Sequence, residues 1–366
     1  MPVSVVPTMI DNDEIEAAYN DLRDVRNCLN RLCSRFRRDV AARKSTCVTA
    51  FFDDFSTWHW LMAQERRSLD DTMLMRYDMA LSPFGRLVAM ETNAACPGGI
   101  ISCAHVKAAW EKTRIGAGIM DQFDPVTYPV DDVFGFLRFV FDLARSKGSP
   151  NVAICNYNGV YTNELETLVK YAEELAETEP DVYGQASLVM CDITEIAEVN
   201  GAITAKGLPV SVIYNKIDAT MIDVANEEIS GWVAAARSET CDFLNSLSAM
   251  YIAEAKSALA ALHSEEIRAY LNISDSEIES IRRRVPMTQR VRDVEAHLLT
   301  SEAIERRGDF VLKENYESRG VGILLGSKLN AKSWAQHVRG YALKSGIVQN
   351  VVKIPAREKF SEHDQA

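Results

Sequence analysis

Apolar runs and an amphipathic run alternate in the middle of the chain, and this alternation constrains the fold more than any other feature. Three short apolar runs are typical of buried strands: NVAICNY (151–157), SLVMCDI (187–193) and PVSVIYNKI (209–217). ELETLVKYAEELAE (164–177), between the first two, has the apolar spacing of a helix. Parallel strands need such a crossover, so the sequence predicts a small Rossmann-like parallel sheet within residues 131–225 and a mixed α/β fold.

The composition indicates a folded protein with room for two or three packed units. The chain has 366 residues, of which 47% are hydrophobic and 25% charged. Its formal charge of -12 disfavours nucleic-acid binding, which needs a basic surface. The first residues lack a basic segment followed by an apolar core, and no stretch is long and apolar enough for a membrane span. We therefore expect a cytoplasmic protein.

The cysteine and glycine patterns exclude two common kinds of site. The eight cysteines form no Cys-x-x-Cys pair, so neither a zinc site nor a disulfide framework is indicated. Cys96 alone is considered as a nucleophile, because it adjoins the polar hairpin described below. No Gly-x-Gly-x-x-Gly follows the strand at 151–157, which disfavours a dinucleotide-binding oxidoreductase.

Two further patterns predict elements before residue 70. Apolar residues recur at spacings of three and four over residues 11–43 and predict a long amphipathic helix with a solvated basic face. The run VTAFFDDFSTWHWLM (48–62) is apolar and aromatic, and it predicts a buried strand followed by a turn.

A polar face marks the predicted hairpin at 74–93. Side chains alternate across a strand, so one face of each strand is apolar while the other is polar. With Phe84 and Gly85 at the tip of an even-numbered turn, Asp78 lies opposite Glu91 on that polar face. The polar face then collects Arg76, Asp78, Glu91 and Asn93.

Two facing carboxylates repel each other by about 4 kcal/mol at a separation of about 4 Å and an effective dielectric near 20. Arg76 offsets this repulsion if it forms an ordinary surface ion pair. A divalent cation is the alternative, since Mg²⁺ takes carboxylates, an amide oxygen and phosphate oxygens as ligands. Asp78, Glu91 and Asn93 supply that set.

A second motif lies in FVLKENYESRGVGILLG (310–326). Lys313 ends a short apolar strand, and a loop with Gly320 and Gly322 follows. A lysine beside a glycine loop can bind phosphate oxygens together with backbone N–H groups. A surface hairpin with a solvated lysine is equally compatible with this sequence. The Walker pattern is absent.

The hairpin motif, Arg-x-Asp then Glu-x-Asn and a Pro-Gly step, closely resembles the metal-binding hairpin of circularly permuted ATP-grasp ligases such as glutathionylspermidine synthetase. The resemblance implies that Asp78, Glu91 and Asn93 hold Mg²⁺ beneath the ATP phosphates. It also implies that Arg76 stabilises charge in the transition state.

The order of the later motifs is similar to that of the same family. GIVQNVVKIPA (346–356) resembles the hinge strand that holds adenine, and Thr288 stands where the family has a residue near the nucleotide. The nucleotide-binding residues implied by the resemblance are Lys256, Lys313, Gly320, Gly322, Gln349 and Val351.

The resemblance implies a domain order and a reaction. An N-terminal helical segment (1–50) precedes a part of the ATP-grasp domain that carries the hairpin (51–130), and residues 226–366 hold a helical region with the nucleotide-binding subdomain. The implied reaction joins a carboxylic acid and an amine, such as amino acids or a peptide, through an acyl phosphate. ATP and Mg²⁺ are the implied cofactors. The oligomeric state is left open, a homodimer included.

Departures from the family pattern keep a second hypothesis open. Glu314 replaces the expected proline after Lys313, and Asn350 stands where relatives often carry Glu. The sequence ends at Ala366, soon after the hinge, which implies a shortened ATP-binding floor. The alternative is a non-catalytic relative that binds a nucleotide or a partner.

Overall fold

The structure, a computed structural model, describes residues 10–53, 56–95, 97–113, 118, 133–218, 221–317 and 320–354. Its contacts divide the chain into two compact units. The first unit contains Leu32–Arg76 and Asn93–Glu254. The second contains Tyr77–Thr92 and the described residues of Met9–Arg31 and Ala255–Ala366.

The described residues form a mixed α/β protein. The helices are α1 (Asn12–Ala41), α2 (Cys47–Phe51), α3 (Ser56–Met62), α4 (Ile100–Glu111), α5 (Val133–Ser146), α6 (Thr162–Thr178), α7 (Pro180–Tyr183), α8 (Ser230–Arg237), α9 (Ser257–His263), α10 (Glu265–Tyr270), α11 (Asp275–Arg284), α12 (Val291–Leu298), α13 (Ser301–Glu305) and α14 (Ala331–Leu343). The strands are β1 (Arg76–Leu81), β2 (Leu87–Asn93), β3 (Val152–Asn156), β4 (Leu188–Asp192), β5 (Ile196–Val199), β6 (Ala202–Ala205), β7 (Leu208–Pro209), β8 (Val212–Asn215), β9 (Asp242–Phe243), β10 (Thr288–Arg290), β11 (Phe310–Lys313), β12 (Ile323–Leu325) and β13 (Ile347–Asn350).

The predicted parallel sheet is confirmed in the first unit. Its four strands lie in the order β4-β3-β8-β9, and all the pairs are parallel. Val152 pairs with Leu188 on one side and with Val212 on the other, so β3 is central. Every residue of β3 is buried, as expected for a strand covered on both faces. A small antiparallel sheet, β5-β6-β7, belongs to the same unit.

The core of the first unit forms where helices cover this sheet. Phe136, Leu137 and Phe141 of α5 pack with Leu165 and Leu168 of α6, all nearly inaccessible to water. Each such side chain contributes about 2 kcal/mol of burial free energy. This packing fixes the sheet, and with it the residues that follow the carboxyl ends of its strands.

The second unit is built on an antiparallel sheet, with strand order β10-β13-β11-β12. The predicted strand that ends at Lys313 is confirmed as β11, and β12, α14 and β13 follow the glycine loop in that order. Gln349 lies in the middle of this sheet, since it pairs with Thr288 of β10 and with Val311 of β11. Trp334 and Val338 of α14 are fully buried in the core of this sheet.

The hairpin of β1 and β2 is confirmed, but its turn differs from the prediction. Ser82 N–H donates to Arg86 O at 2.8 Å, and Gly85 N–H donates to Ser82 O at 3.0 Å. Gly85 has φ +73°, so the turn encloses three residues rather than an even number. A ladder that continues from Ser82 and Arg86 without a bulge sets Asp78 opposite Met90, so Asp78 and Glu91 then lie on opposite faces of the hairpin and not on the single polar face predicted.

The strand and turn predicted for residues 48–62 are wrong, because this stretch forms α2 and α3. Thr46 caps α2 in a reciprocal capping box with Thr49, which satisfies backbone donors only in a helix. Trp58, Leu61 and Met62 are buried at helical spacing. The aromatic content of the run favoured a strand, and the tertiary packing overrides that preference.

The predicted long helix is confirmed as α1, with Val25, Leu29 and Phe36 fully buried along one stripe. Its basic face is not simply solvated. Arg37 donates to the Asp71 carboxylate at 2.5 Å, and only 16% of its side chain is exposed. No helix among the described residues has both the length and the apolar character needed to cross a membrane.

Candidate functional site

Lys313 is the centre of a buried polar chain in the second unit. It is 6% exposed, and its ammonium donates to Gln349 Oε1 at 2.7 Å and to Met90 O at 3.0 Å. Gln349 in turn donates from Nε2 to Thr288 Oγ1 at 2.9 Å. The backbone order explains this arrangement, because Gln349 lies between the strands of Thr288 and Lys313. Lys313 is therefore not the solvated lysine of a surface hairpin.

Three charged groups act on the Lys313 ammonium. The pKa of Lys313 is lowered from 10.5 to about 8, chiefly by burial and also by the nearby Lys256 cation. The carboxylates of Glu91 and Asp78 act in the opposite direction and raise this pKa. Both predicted metal-binding carboxylates of the second unit thus lie within electrostatic reach of one ammonium, although the three-residue turn shifts the register that was predicted to place them on one face.

Lys256 is a second buried cation in the same place. It is 4% exposed, and its Nζ donates to Glu317 O at 2.6 Å and lies 3.7 Å from Glu91 Oε1. The Glu91 side chain keeps 22% of its surface exposed. We call Lys256, Lys313, Asp78 and Glu91 the lysine–carboxylate cluster.

The loop between β11 and β12 is bonded to the N-terminus of α9, where Lys256 lies. Asn315 Oδ1 accepts from Ser257 N–H at 2.8 Å, and Asn315 O accepts from Lys256 N–H at 3.2 Å. With the Lys256 ammonium on Glu317 O, the first half of the loop is held at three points.

The end of that loop needs glycine. Gly320 and Gly322 have φ values of +80° and +66°, in the left-handed region that favours glycine. Gly322 O accepts from Glu314 N–H and from the Tyr341 hydroxyl, each at 2.9 Å. The end of the predicted glycine loop is therefore held by hydrogen bonds within the protein. Its role in binding a ligand stays a prediction.

The predicted adenine-reading stretch has its N–H groups engaged. Asn350 N–H donates to Met287 O at 2.9 Å, and Val351 N–H donates to Asp309 O at 2.8 Å. Beside this stretch lies a groove of about 300 Å³, whose apolar lining includes Val88, Val285 and Val352. Its role in binding adenine stays a prediction.

The remaining predicted residues of the hairpin belong to the first unit. Arg76 is exposed, and its guanidinium donates to Gly98 O at 3.1 Å. Asn93 is half-buried at the end of β2. Cys96 lies outside the described residues. Among the residues that the structure describes, no three His, Cys, Asp or Glu side chains form a metal-binding group, so a cation at Asp78 and Glu91 needs other ligands as well.

No local sequence pattern indicates two supporting residues in the first unit. Glu254 Oε2 accepts from the N–H groups of Ala94 and Ala95, at 2.5 and 2.7 Å, directly after Asn93. Asn245 donates to Ala94 O at 2.7 Å. Glu254 and Asn245 lie more than 150 residues from these partners, and no local pattern signals such a contact.

Comparisons with known proteins do not place the chain in a family. No family model and no curated protein sequence matches it. Among solved structures it is similar to D-alanyl-alanine synthetase A from Vibrio cholerae O1 biovar eltor str. N16961, with 9% identity and a TM-score of 0.31. The match covers 56% of this chain and 59% of that chain, less than two thirds of its length. Structures with so low a score need not share a fold or an activity.

Proposed function

We propose that the chain is an ATP-dependent ligase that uses Mg²⁺ and joins a carboxylic acid to an amine, with release of ADP and phosphate. The lysine–carboxylate cluster is the observation that supports this proposal. Burying the charged side chains of Lys256 and Lys313 together costs desolvation free energy, unless nearby anions offset it. A triphosphate beside a tied glycine loop is an anion of that kind.

The donor set fits Mg²⁺ in its chemistry. Asp78 and Glu91 supply hard carboxylate oxygens, and Glu91 keeps part of its surface open to a ligand. Asn93, at the end of the same strand as Glu91, is the proposed third ligand. When bound, Mg²⁺ would neutralise phosphate charge.

The chain's own residues would act by positioning and by charge. We expect Lys313 and Lys256 to donate to phosphate oxygens in place of the main-chain carbonyls of Met90 and Glu317. Backbone N–H groups near Gly320 and Gly322 would exclude water from the acyl phosphate, which hydrolyses readily. Arg76 would stabilise the developing oxyanion.

A specific observation favours a second candidate, a nucleotide-binding or partner-binding protein without turnover. Lys313 and Lys256 already donate to main-chain carbonyls, and the N–H groups of Asn350 and Val351 donate within the second unit. Each ammonium has three N–H groups, so a ligand can use only the donors that these bonds leave, unless it displaces them. Polar groups that are already hydrogen-bonded within the protein are compatible with binding that is not followed by a reaction.

Release of ADP separates the two candidates. The full chain is incubated with ATP, Mg²⁺ and mixed amino acids, and compared with Glu91→Ala and with Glu302→Ala, which removes an exposed carboxylate of the second unit. We expect turnover in the unmodified protein and in Glu302→Ala, and a loss of about 100-fold or more in Glu91→Ala. Nucleotide binding without turnover on any acid would favour the second candidate.

A further inference from the structure

The carboxyl edge of the parallel sheet in the first unit has the topology of a binding crevice. From β3 the chain crosses to β4 on one side, and it later returns to form β8 on the other side of β3. In open α/β sheets, ligands bind outside the carboxyl ends of strands at such a reversal of direction. Here the two strands that flank the reversal end at Asn156 and Asn215, and Lys216 follows directly.

The loop that leaves β3 at this edge is held in an unfavourable backbone conformation. Asn158, Gly159 and Tyr161 all have positive φ values, of 53°, 73° and 64°. A bulky residue such as Tyr161 is rarely found in the left-handed region. Backbone strain of this kind concentrates at ligand-binding sites, where the surrounding structure compensates for its cost.

Lys216 is the most deeply buried charge at this edge, with 1% of its side chain exposed. Its ammonium lies 3.3 Å from both carboxylate oxygens of Glu164, which is 28% exposed at the start of α6. The rings of Tyr161 and Tyr214 lie 5.3 and 5.9 Å from the same ammonium. A lysine and a carboxylate thus face one another, and the carboxylate side is open to solvent.

Gly98 lies directly against this pair. A Cβ at Gly98 would lie 3.3 Å from Lys216 Nζ and 3.7 Å from each Glu164 carboxylate oxygen. The carbonyl of the same residue accepts from Arg76 at 3.1 Å. The Lys216–Glu164 pair and the guanidinium that we propose for the reaction therefore both adjoin Gly98, within one unit.

We propose that the Lys216–Glu164 pair, beside Gly98, binds a small zwitterion, either an amino acid or the end of a peptide that carries both charged groups. The ligand's carboxylate lies at Lys216 and its ammonium at Glu164. A simple anion fits less well, because Glu164 repels it at the same position. The inference deepens the proposed function, on which it rests, by assigning a substrate class to a site in the first unit.

Binding without any nucleotide tests this site. Each of the twenty amino acids is titrated into the full chain by ligand-observed NMR, and the best binder is compared with its des-amino acid and its decarboxylated amine. We expect an amino acid to bind, and either analogue to bind about tenfold more weakly, which is about 1.4 kcal/mol. Lys216→Met and Glu164→Gln should each weaken binding by at least about tenfold. Gly98→Ala should weaken it as well, because the new Cβ would crowd Lys216 Nζ at 3.3 Å.

A control variant is needed, and each variant must be shown to be folded before its binding is compared. Lys206→Met removes the lysine of an exposed pair of the same unit, 3.5 Å from Glu195, and should leave binding unchanged. If Lys216→Met does not fold, Glu164→Gln and Gly98→Ala decide the test. No binding of any amino acid, or equal binding by the folded variants, would overturn the site as proposed.

The binding site and the proposed ligase activity can be rejected separately. Amino-acid binding that depends on Lys216, in a protein that never releases ADP, would keep the site and reject the ligase. ADP release that Lys216→Met leaves unchanged in kcat and in KM for the amino acids would reject the site and keep the ligase.

Discussion

Lys313 shows at the residue scale how a weak sequence signal becomes an electrostatic site. The sequence shows only a lysine at the end of a strand before a glycine loop. The fold buries it, sets Gln349 beside its ammonium and brings two carboxylates and a second lysine within reach. Gln349 lies 36 residues from Lys313 along the chain, and Met90, whose carbonyl also accepts from this ammonium, lies 223 residues away, so the sequence around Lys313 contains none of this information.

The lowered pKa of Lys313 predicts a pH dependence of stability. The folded protein holds this proton with a pKa of about 8, against 10.5 for the ordinary lysine of the unfolded chain. Between these values the unfolded state binds more protons, so the free energy of unfolding should rise with pH from about 8 to 10.5, by up to about 3 kcal/mol.

Chemical denaturation of the unmodified chain and of Lys313→Met between pH 7 and pH 10.5 measures this effect. Other groups titrate in the same window, so the difference between the two proteins is the quantity that matters. That difference should change with pH in the predicted direction. Parallel curves would show that the ammonium is not desolvated as described.

At the element scale, local patterns predicted β3, α6, β4 and β8 because propensity, periodicity and burial agree there, but they missed the small sheet β5-β6-β7 between β4 and β8. They failed at 48–62, where an aromatic run forms α2 and α3 instead of a strand. They also missed the length of the turn between β1 and β2, since Gly85 in the left-handed region closes a three-residue loop. The length of the turn decides the register of the two strands. The sequence Ser-Pro-Phe-Gly-Arg is compatible with a turn of two residues or of three.

The glycine loop gives a prediction of its own. Gly322→Ala should lower the free energy of unfolding by about 3 kcal/mol, because the new Cβ would lie 2.8 Å from Cβ and Cγ of Glu314. Gly320→Ala is the matched control, since it has a similar φ but no atom within 4 Å. It should cost about 1 kcal/mol, the backbone term alone.

Urea denaturation of the two variants measures the difference. A cost for Gly322→Ala that is no larger than that for Gly320→Ala would show that the loop does not close against Glu314 as the structure has it.

At the scale of the whole molecule, the sequence predicted a mixed α/β chain but not its division. Residues 77–92 belong to the second unit although the chain on both sides of them belongs to the first. The reason is long-range: Lys313 donates to Met90 O across 223 positions, and Arg284 pairs with both Glu14 and Asp21. Such associations depend on packing between distant segments, which no single window of sequence encodes.

The central claim is that the lysine–carboxylate cluster binds Mg²⁺ and a triphosphate together. Calorimetric titration of the full chain with ATP, in millimolar Mg²⁺ and again in EDTA, tests it most directly, with Glu91→Gln and Lys313→Met alongside and Glu302→Gln as the control. We expect saturable binding that weakens at least about tenfold without Mg²⁺ and in both cluster variants, and that is unchanged in the control. Absence of binding heat in millimolar Mg²⁺, or equal affinity in Glu91→Gln, would contradict the account.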